Sequence, residues 1–199
     1  MTESLARLQY RGVSPAAGLV SQATAATAPV AVESVYQAEF AYVWHTLRRL
    51  GVRPRDLEDR VHDVFVVVHR RWRDYDPARP LRPWLFGIAL RVAADDRRRA
   101  ARAAEVELGT IEQAAGAEPA ADERIAAAQA RELVLAALEA LDLDQRAALV
   151  MHDLDGASAP EISAALAIPL NTVYSRLRLA REKFAAAVRR LRARRGEAP

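Results

Sequence analysis

One stretch, Ser158 to Phe184 (SAPEISAALAIPLNTVYSRLRLAREKF), restricts the fold more than any other part of the chain. It reads as two helices joined by a tight turn. Ser158 to Glu161 is a capping-box pattern, in which the Ser side chain takes a backbone N–H and the Glu side chain reciprocates. Pro160 falls in the first turn, where a missing N–H costs little. Ile162, Ala165 and Leu166 give the short helix an apolar side. Pro169 ends it, because the residue before a proline is pushed out of the helical region. Val173, Leu177, Ala180, Phe184 and Leu191 then fall on one stripe of a 3.6 period. This is a helix-turn-helix pattern, whose second helix can lie in the DNA major groove.

Charge supports that use. From Asn171 to Arg195 the basic residues are Arg176, Arg178, Arg181, Lys183, Arg189, Arg190, Arg192, Arg194 and Arg195, and the only acid is Glu182. Opposite the apolar stripe lie Asn171, Ser175 and Arg178, with Tyr174 beside them, where they can face base edges. Arg176 and Arg181 flank the stripe and suit phosphates, which position a protein without specifying sequence. A basic amphipathic helix is also what a solvated surface helix looks like, so the charge alone does not decide.

The 199 residues allow one large domain or two small ones, and 51% hydrophobic residues suffice for a core. The formal net charge is only +3, so the basic character is local. Between Ala103 and Gln145 the acids Glu105, Glu107, Glu112, Glu118, Asp122, Glu123, Glu132, Glu139, Asp142 and Asp144 face only Arg124 and Arg131. Two basic blocks around an acidic segment suggest two nucleic-acid-binding parts and a tether that avoids phosphates. There is no cysteine, hence no disulfide framework or thiolate metal site. No run approaches the roughly 18 apolar residues of a membrane helix. The N-terminus lacks the apolar core of a signal peptide. A cytoplasmic protein is the expectation.

Residues 1–31, rich in Ala, Ser, Thr, Pro and Gly, read as a poorly ordered leader. The first helix is expected from Ser34 to Leu50, with an S-x-x-Q cap, the apolar repeat Tyr36, Phe40, Val43, Leu47 and Leu50, and Gly51 as its stop. Trp44 and His45 read as packing and solvent-facing residues. The second helix is expected from Asp56, its cap, to Arg73, with Leu57, Val61, Val64, Phe65, Val68 and Trp72 inward. Its other face carries Glu58, Asp59, His62, Asp63 and His69. These line a single exposed face with no second ligand set nearby in sequence, which argues against a metal site. Asp74 to Pro83 is a proline-punctuated loop.

The third helix is expected from Leu81–Trp84 to Arg102, with Trp84, Leu85, Ile88 and Val92 apolar and Arg91, Arg97, Arg98, Arg99 and Arg102 near its end. Basic residues beside aromatics and a loop suit melted nucleic acid, although arginines at a helix C-terminus also suit the helix dipole. Residues 103–121 read as the linker. A helix from Asp122 to Leu141 and another from Asp144 to Leu154 follow, the latter with Ala147, Val150 and Leu154 inward, and Gly156 closes it. No segment alternates with the two-residue period of a strand, so the class is all-α, in two small helical domains joined by an acidic linker. Residues 32–102 and 122–195 are the expected domains.

With both halves in view, the chain resembles the extracytoplasmic-function (ECF) group of bacterial RNA polymerase sigma factors, within the sigma-70 superfamily. DLEDRVHDVF (Asp56–Phe65) followed by RPWLFGIALRVAADDRRR (Arg82–Arg99) is similar to sigma region 2, and Leu141–Phe184 is similar to sigma region 4. The resemblance covers roughly residues 34 to 192. It implies a promoter-specificity subunit that directs core polymerase to −10 and −35 elements and assists strand opening, with no cofactor and no chemistry of its own. Asp59, His62 and Asp63, with Phe65 beneath, would dock on the β′ clamp helices, and region 4 on the β flap. Asp76, Arg79, Arg82, Trp84, Arg91, Arg97, Arg98 and Arg99 would engage the −10 element or its backbone. Asn171, Thr172, Tyr174, Ser175 and Arg178 would read the −35 element, with Arg176 and Arg181 on phosphates. The resemblance also admits an anti-sigma factor as partner, and nucleoid association once in holoenzyme. Departures from the usual pattern are His62 where Gln is common, Gly87 and Leu90 where basic or polar residues are, Arg91 where Asn is frequent, and Leu179 where Arg often stands. Pro160 and Ser163 vary the first helix of the motif without breaking it.

Two other readings compete. A conventional helix-turn-helix regulator would dimerise on a palindromic operator, but it leaves the acidic second helix unexplained. An enzyme acting on nucleic acid would need a nucleophile–base set, metal-ligand spacing or a phosphate loop. His45, His62, His69 and His152 are scattered and supply none.

Overall fold

The computed structural model describes residues 32–106 and 122–196. The expected leader (1–31) and most of the expected linker (107–121) lie outside the described residues. Among the described residues every regular element is helical, and no helix is long and apolar enough to cross a membrane.

Helix α1, Val32–Leu50, starts two residues before Ser34, so the S-x-x-Q pattern sits inside the helix rather than capping it. Its end is as expected. Gly51 has φ +95°, a conformation that costs glycine little. Val52 N–H donates to the Leu47 carbonyl and Gly51 N–H to that of Arg48, both at 3.1 Å, the paired bonds of a Schellman motif. A 3-10 turn, Pro54–Asp56, runs straight into α2, Leu57–Arg71. Asp56 is therefore in a helical conformation, and its carboxylate takes Arg53 Nε at 3.0 Å instead of capping the helix. A second 3-10 turn, Trp72–Asp74, replaces the expected end of that helix. Helix α3, Leu81–Val106, continues four residues beyond Arg102 into the expected linker.

Helix α4 is Asp122–Leu138 and α5 is Leu143–Leu149. Asp142 caps α5 by accepting Gln145 N–H at 2.8 Å. The expected helix to Leu154 instead widens into a π-helical turn, Val150–Leu154, with Asp155 N–H reaching back five residues to Val150 O at 3.0 Å. The extra residue in that turn rotates Leu154 outward. It is 45% exposed, where an unbroken α-helix would point it inward.

Helix α6, Ala159–Leu166, has the full capping box: Glu161 Oε2 accepts Ser158 N–H at 2.7 Å, and Ser158 Oγ accepts Glu161 N–H. It ends at Ala167, which turns left-handed at φ +54° two residues ahead of Pro169. Ser163 Oγ steadies that turn by donating to Ile168 O at 2.6 Å. Helix α7 is Leu170–Arg194.

Helices α1, α2 and α3 pack mutually around Val43, Leu47, Leu50, Leu57, Val61, Val64, Leu85 and Phe86, while α5, α6 and α4 each pack on α7 over Leu138, Met151, Ile162, Val173, Leu177 and Phe184. The halves join where α3 meets α6 and where α1 meets α4 and α5, and Val32–Pro199 forms one compact unit. Helix α3 is accordingly buried more widely than a single stripe: Phe86, Ala89 and Ala93 are closed off along with Leu85 and Ile88. Phe86 is fully buried. Phe86→Ala should lower unfolding stability by about 3–5 kcal/mol, measured by denaturant titration.

Candidate nucleic-acid and polymerase interfaces

The N-terminal half of α7 presents the residues that the resemblance assigns to the −35 element. Asn171, Tyr174, Ser175 and Arg178 are exposed, Tyr174 at 54%, opposite the buried Val173, Leu177 and Ala180. Thr172 is half-buried, and its carbonyl accepts Ser175 Oγ at 2.9 Å. Tyr174, Arg178 and Arg181 line an open groove of about 340 Å³ together with His152, Leu177 and Glu182.

The bases are less free than the local sequence implies, because acids arrive from outside the helix. Arg176 pairs with Asp144 of α5. Lys183 lies 3.6 Å from Asp142. Arg181 grips Asp153 of the π-turn with two bonds, Nε to Oδ2 at 2.9 Å and Nη2 to Oδ1 at 2.6 Å. Among the described residues, Arg178 has only the exposed i,i+4 contact to Glu182, at 3.0 Å. Such a surface pair contributes roughly 0–1 kcal/mol and gives way easily to a base or phosphate. The structure thus divides the helix into an available Arg178 and anchored Arg176 and Arg181.

The Asp153–Arg181 anchor is also acid-sensitive. Burial pushes the Asp153 carboxyl up, but hydrogen bonds from Arg181 and His152 outweigh it and hold the group below its ordinary 3.8. An acid with a depressed folded-state pKa stabilises the fold above its unfolded value and loses that contribution as pH falls through the folded one. Asp153→Asn should therefore be less stable than the parent at neutral pH. The difference should shrink below about pH 4, measured by thermal melts across pH.

The loop before α3 carries an aromatic cluster, although in sequence Trp72 reads as core and Tyr75 as loop. Trp72 stacks on Tyr75 with centroids 5.3 Å apart, and Trp84 meets Tyr75 at 5.1 Å and Trp72 at 6.1 Å. Trp72 and Tyr75 thus join Trp84 as candidate functional residues. The available signal is three aromatics, Trp72, Tyr75 and Trp84, flanking one proline-punctuated stretch. The loop holds its own shape: Asp76 Oδ1 accepts Ala78 N–H at 3.0 Å, Arg79 Nε lies 3.5 Å from Asp76 Oδ2, and Tyr75 OH donates to Arg79 O at 2.7 Å. Arg82 donates to Glu39 at 3.0 Å and lies 5.0 Å over the Tyr42 ring. Arg91, Arg97, Arg98 and Arg99 are exposed on α3, Arg98 paired with Asp95.

On α2, Glu58, Asp59, His62 and His69 are exposed, forming the acidic face. Asp63 shares Arg60, at 2.7 Å, with Asp96 of α3, 3.6 Å from Arg60 Nε. Phe65 is only 6% exposed, its ring 4.6 Å from that of Tyr36. It supports the face from below, and the exposed aromatic there is Tyr36.

The two halves meet in a polar seam. Asp155, just after the π-turn, accepts Tyr42 OH at 3.0 Å and Arg49 Nη1 at 2.9 Å, both from α1. Burial raises the Asp155 carboxyl above its ordinary value despite Arg49. Arg48 and Glu132 pair across α1 and α4 at 2.8 Å. Arg146 of α5 is 4% exposed and reaches Gly51 at the end of α1 so closely that a Cβ there would collide with Nη1. Among the described residues its Nε has no hydrogen-bond partner, and its Nη2 reaches Leu141 O at 3.4 Å. A buried, unsatisfied charged donor costs at least about 1–3 kcal/mol. A Cβ on Gly87 of α3 would lie 3.0 Å from the Ala165 carbonyl of α6. A cleft of about 210 Å³ remains in the seam, lined by Arg82 and Pro83 on one side and Met151, Asp155 and Glu161 on the other.

Comparison with known proteins agrees with the two-region reading. Residues 35–103 match the family model for sigma-70 region 2, and residues 131–184 match that for sigma-70 region 4. RNA polymerase sigma factor CnrH of Cupriavidus metallidurans is 34% identical over 146 residues, 70% of this chain and 76% of its own. ECF RNA polymerase sigma factor SigL of Mycobacterium tuberculosis is 31% identical over 165 residues, 81% of this chain and 90% of its own. Among solved structures, CnrH in complex with the cytosolic domain of CnrY superposes with TM-score 0.54 at 27% identity, covering 78% of this chain and 85% of that one. Sigma factor RpoE, in complex with the anti-sigma factor NepR from Bartonella quintana, shares the fold at TM-score 0.64 and 19% identity, covering 79% of this chain and 96% of that one.

Proposed function

This chain belongs to the ECF group of RNA polymerase sigma factors, and on that footing we propose how its surfaces divide the work. As a sigma factor it binds core RNA polymerase and promoter DNA and directs transcription initiation. The exposed acidic face of α2, centred on Asp59, His62 and Asp63, docks on the β′ clamp helices, with Phe65 as its buried support. The 74–83 loop and α3 engage the −10 element. Trp84, braced by Trp72 and Tyr75, offers a stacking surface for an extruded base. Stacking on an aromatic contributes about 1–3 kcal/mol per base, enough to offset much of the few kcal/mol of unstacking. Arg79, Arg82, Arg91, Arg97, Arg98 and Arg99, with Asp76 shaping the loop, hold the surrounding backbone. Asn171, Thr172, Tyr174, Ser175 and Arg178 read the −35 element, and Arg176 and Arg181 position the helix on phosphates.

The observation that carries the reading role is Arg178 itself, exposed and only weakly paired among the exposed Asn171, Tyr174 and Ser175. The chain does no chemistry, works in the cytoplasm and, in holoenzyme, on the nucleoid. CnrH is solved with the cytosolic domain of CnrY and RpoE with the anti-sigma factor NepR, and an anti-sigma partner is proposed for this chain. The direct test of the reading is co-elution of the full chain with bacterial core polymerase. A one-to-one complex is expected, and its absence at micromolar concentrations removes the docking assignment.

A further inference from the structure

We propose that Asp144 and Asp153 are resident counter-anions for the phosphate-facing arginines of α7. On this reading DNA is gripped by exchanging a tethered carboxylate for a phosphate, and the two acids set how tightly and how salt-dependently the −35 half holds the backbone. The proposal rests on the phosphate roles given above to Arg176 and Arg181.

The pairing is selective along the helix. Arg176 meets Asp144 in the first turn of α5. Arg181 meets Asp153 of the π-turn through two bonds, at 2.9 and 2.6 Å. Lys183 lies 3.6 Å from Asp142, the residue that caps α5. Further along, Arg189 and Arg190 are exposed and, among the described residues, meet no acid. The acids gather beside the half of α7 assigned to DNA.

One of them is brought there at a visible cost. The π-turn at Val150–Leu154 leaves Leu154 exposed, and the same turn carries Asp153 against Arg181. Turns of this kind are uncommon and concentrate at functional sites. Hydrogen bonds from Arg181 and His152 hold the Asp153 carboxyl below its ordinary value, so it faces the groove as an anion.

The pairs are open to exchange. Asp144 is more than half exposed, and Arg181 lines the open groove beside Tyr174 and Arg178. A phosphate arriving at either arginine meets a guanidinium already held in place, so little side-chain freedom is lost on contact. It also meets the carboxylate, whose charge opposes it. A paired arginine therefore adds less to the salt slope than the roughly 0.9 unit of a fully neutralised phosphate. The grip of this half of the helix is correspondingly weak and salt-tolerant.

A double-mutant cycle tests the exchange. Full chains carrying Asp144→Asn, Arg176→Ala or both are assembled with core polymerase. Each is titrated, across a range of salt, with a promoter duplex recovered by selection from random DNA. Asp144→Asn should tighten binding about two- to fivefold, the yield of freeing one surface pair. It should steepen the salt slope by up to about 0.9. In the Arg176→Ala background the same substitution should do much less, because the cycle isolates the pair from the general loss of a negative charge. Asp153→Asn should tighten binding in the same way, with circular dichroism as its control for folding. If that variant loses helix, the Asp144 cycle decides alone. An Asp144→Asn chain with unchanged affinity and slope overturns the exchange, as does an equal effect with and without Arg176. If Arg176→Ala weakens binding while Asp144→Asn is silent, the phosphate role of Arg176 stands and only the exchange falls. If Arg176→Ala is silent in both backgrounds, the phosphate role falls and the exchange with it.

Discussion

Changing Asp59 and Asp63 together to arginine should abolish stable association with core RNA polymerase and leave the chain folded. Both residues lie on the outward face of α2, above a core row of Leu57, Val61, Val64 and Phe65 that the substitutions do not touch. Asp63 loses its pair with Arg60, a half-exposed contact worth roughly 0–1 kcal/mol. Docking suffers far more. With the face docked as proposed on a complementary surface, reversing two charges replaces attraction with like-charge contact, which costs several kcal/mol. A loss of affinity of at least about a hundredfold is expected, since each 1.4 kcal/mol is tenfold. Titration of labelled chain into core reads it, with a thermal melt as the control for folding. Unchanged affinity in a folded double variant would mean that the acidic face does not bind polymerase.

Replacing Arg178 by alanine should flatten discrimination at one −35 position by about 5- to 150-fold, the equivalent of the roughly 1–3 kcal/mol of one good base-edge contact. Affinity for unrelated DNA should fall much less. Arg178 is exposed, and its one ion pair among the described residues is the surface contact to Glu182. Replacing Arg176 should weaken binding to all sequences alike and reduce the salt slope by up to about one unit. Because Asp144 already neutralises Arg176, the reduction should be smaller than for an unpaired arginine. Holoenzyme binding to a panel of single-base promoter variants at two salt concentrations separates the patterns. Identical behaviour of the two variants would dissolve the distinction between reader and positioner.

Most local signals in the chain are legible in the sequence. The capping box at Ser158–Glu161, the Gly51 stop and the apolar stripes of α2 and α7 each depend on residues within a turn or two of one another, and the structure has them where the pattern puts them. Signals that depend on distant partners were not. The local count of acids on α7 found Glu182 alone, because Asp142, Asp144 and Asp153 come from elements some thirty to forty residues earlier. The π-turn at Val150–Leu154 has no composition signature, so Leu154 was expected inward and is exposed. Two local readings also fail: Asp56 looks like a cap but loses that role because Pro54 starts a 3-10 turn ahead of it, and Ser34 lies inside a helix that begins at Val32. Gly87 looks like a weak point in a helix until α6 is seen lying against it. The seam residues Tyr42, Arg49, Arg146 and Asp155 form no linear motif, and only the fold brings them together.

Whether this subunit gives core polymerase its promoter preference is read from selection out of random duplex DNA, with core polymerase and the full chain together and with the chain alone. Enrichment is expected only with core present, of two separate sequence blocks at a fixed spacing, with the upstream block relaxed by Arg178→Ala. Enrichment of a single palindromic site by the chain alone would instead identify an ordinary duplex-binding regulator.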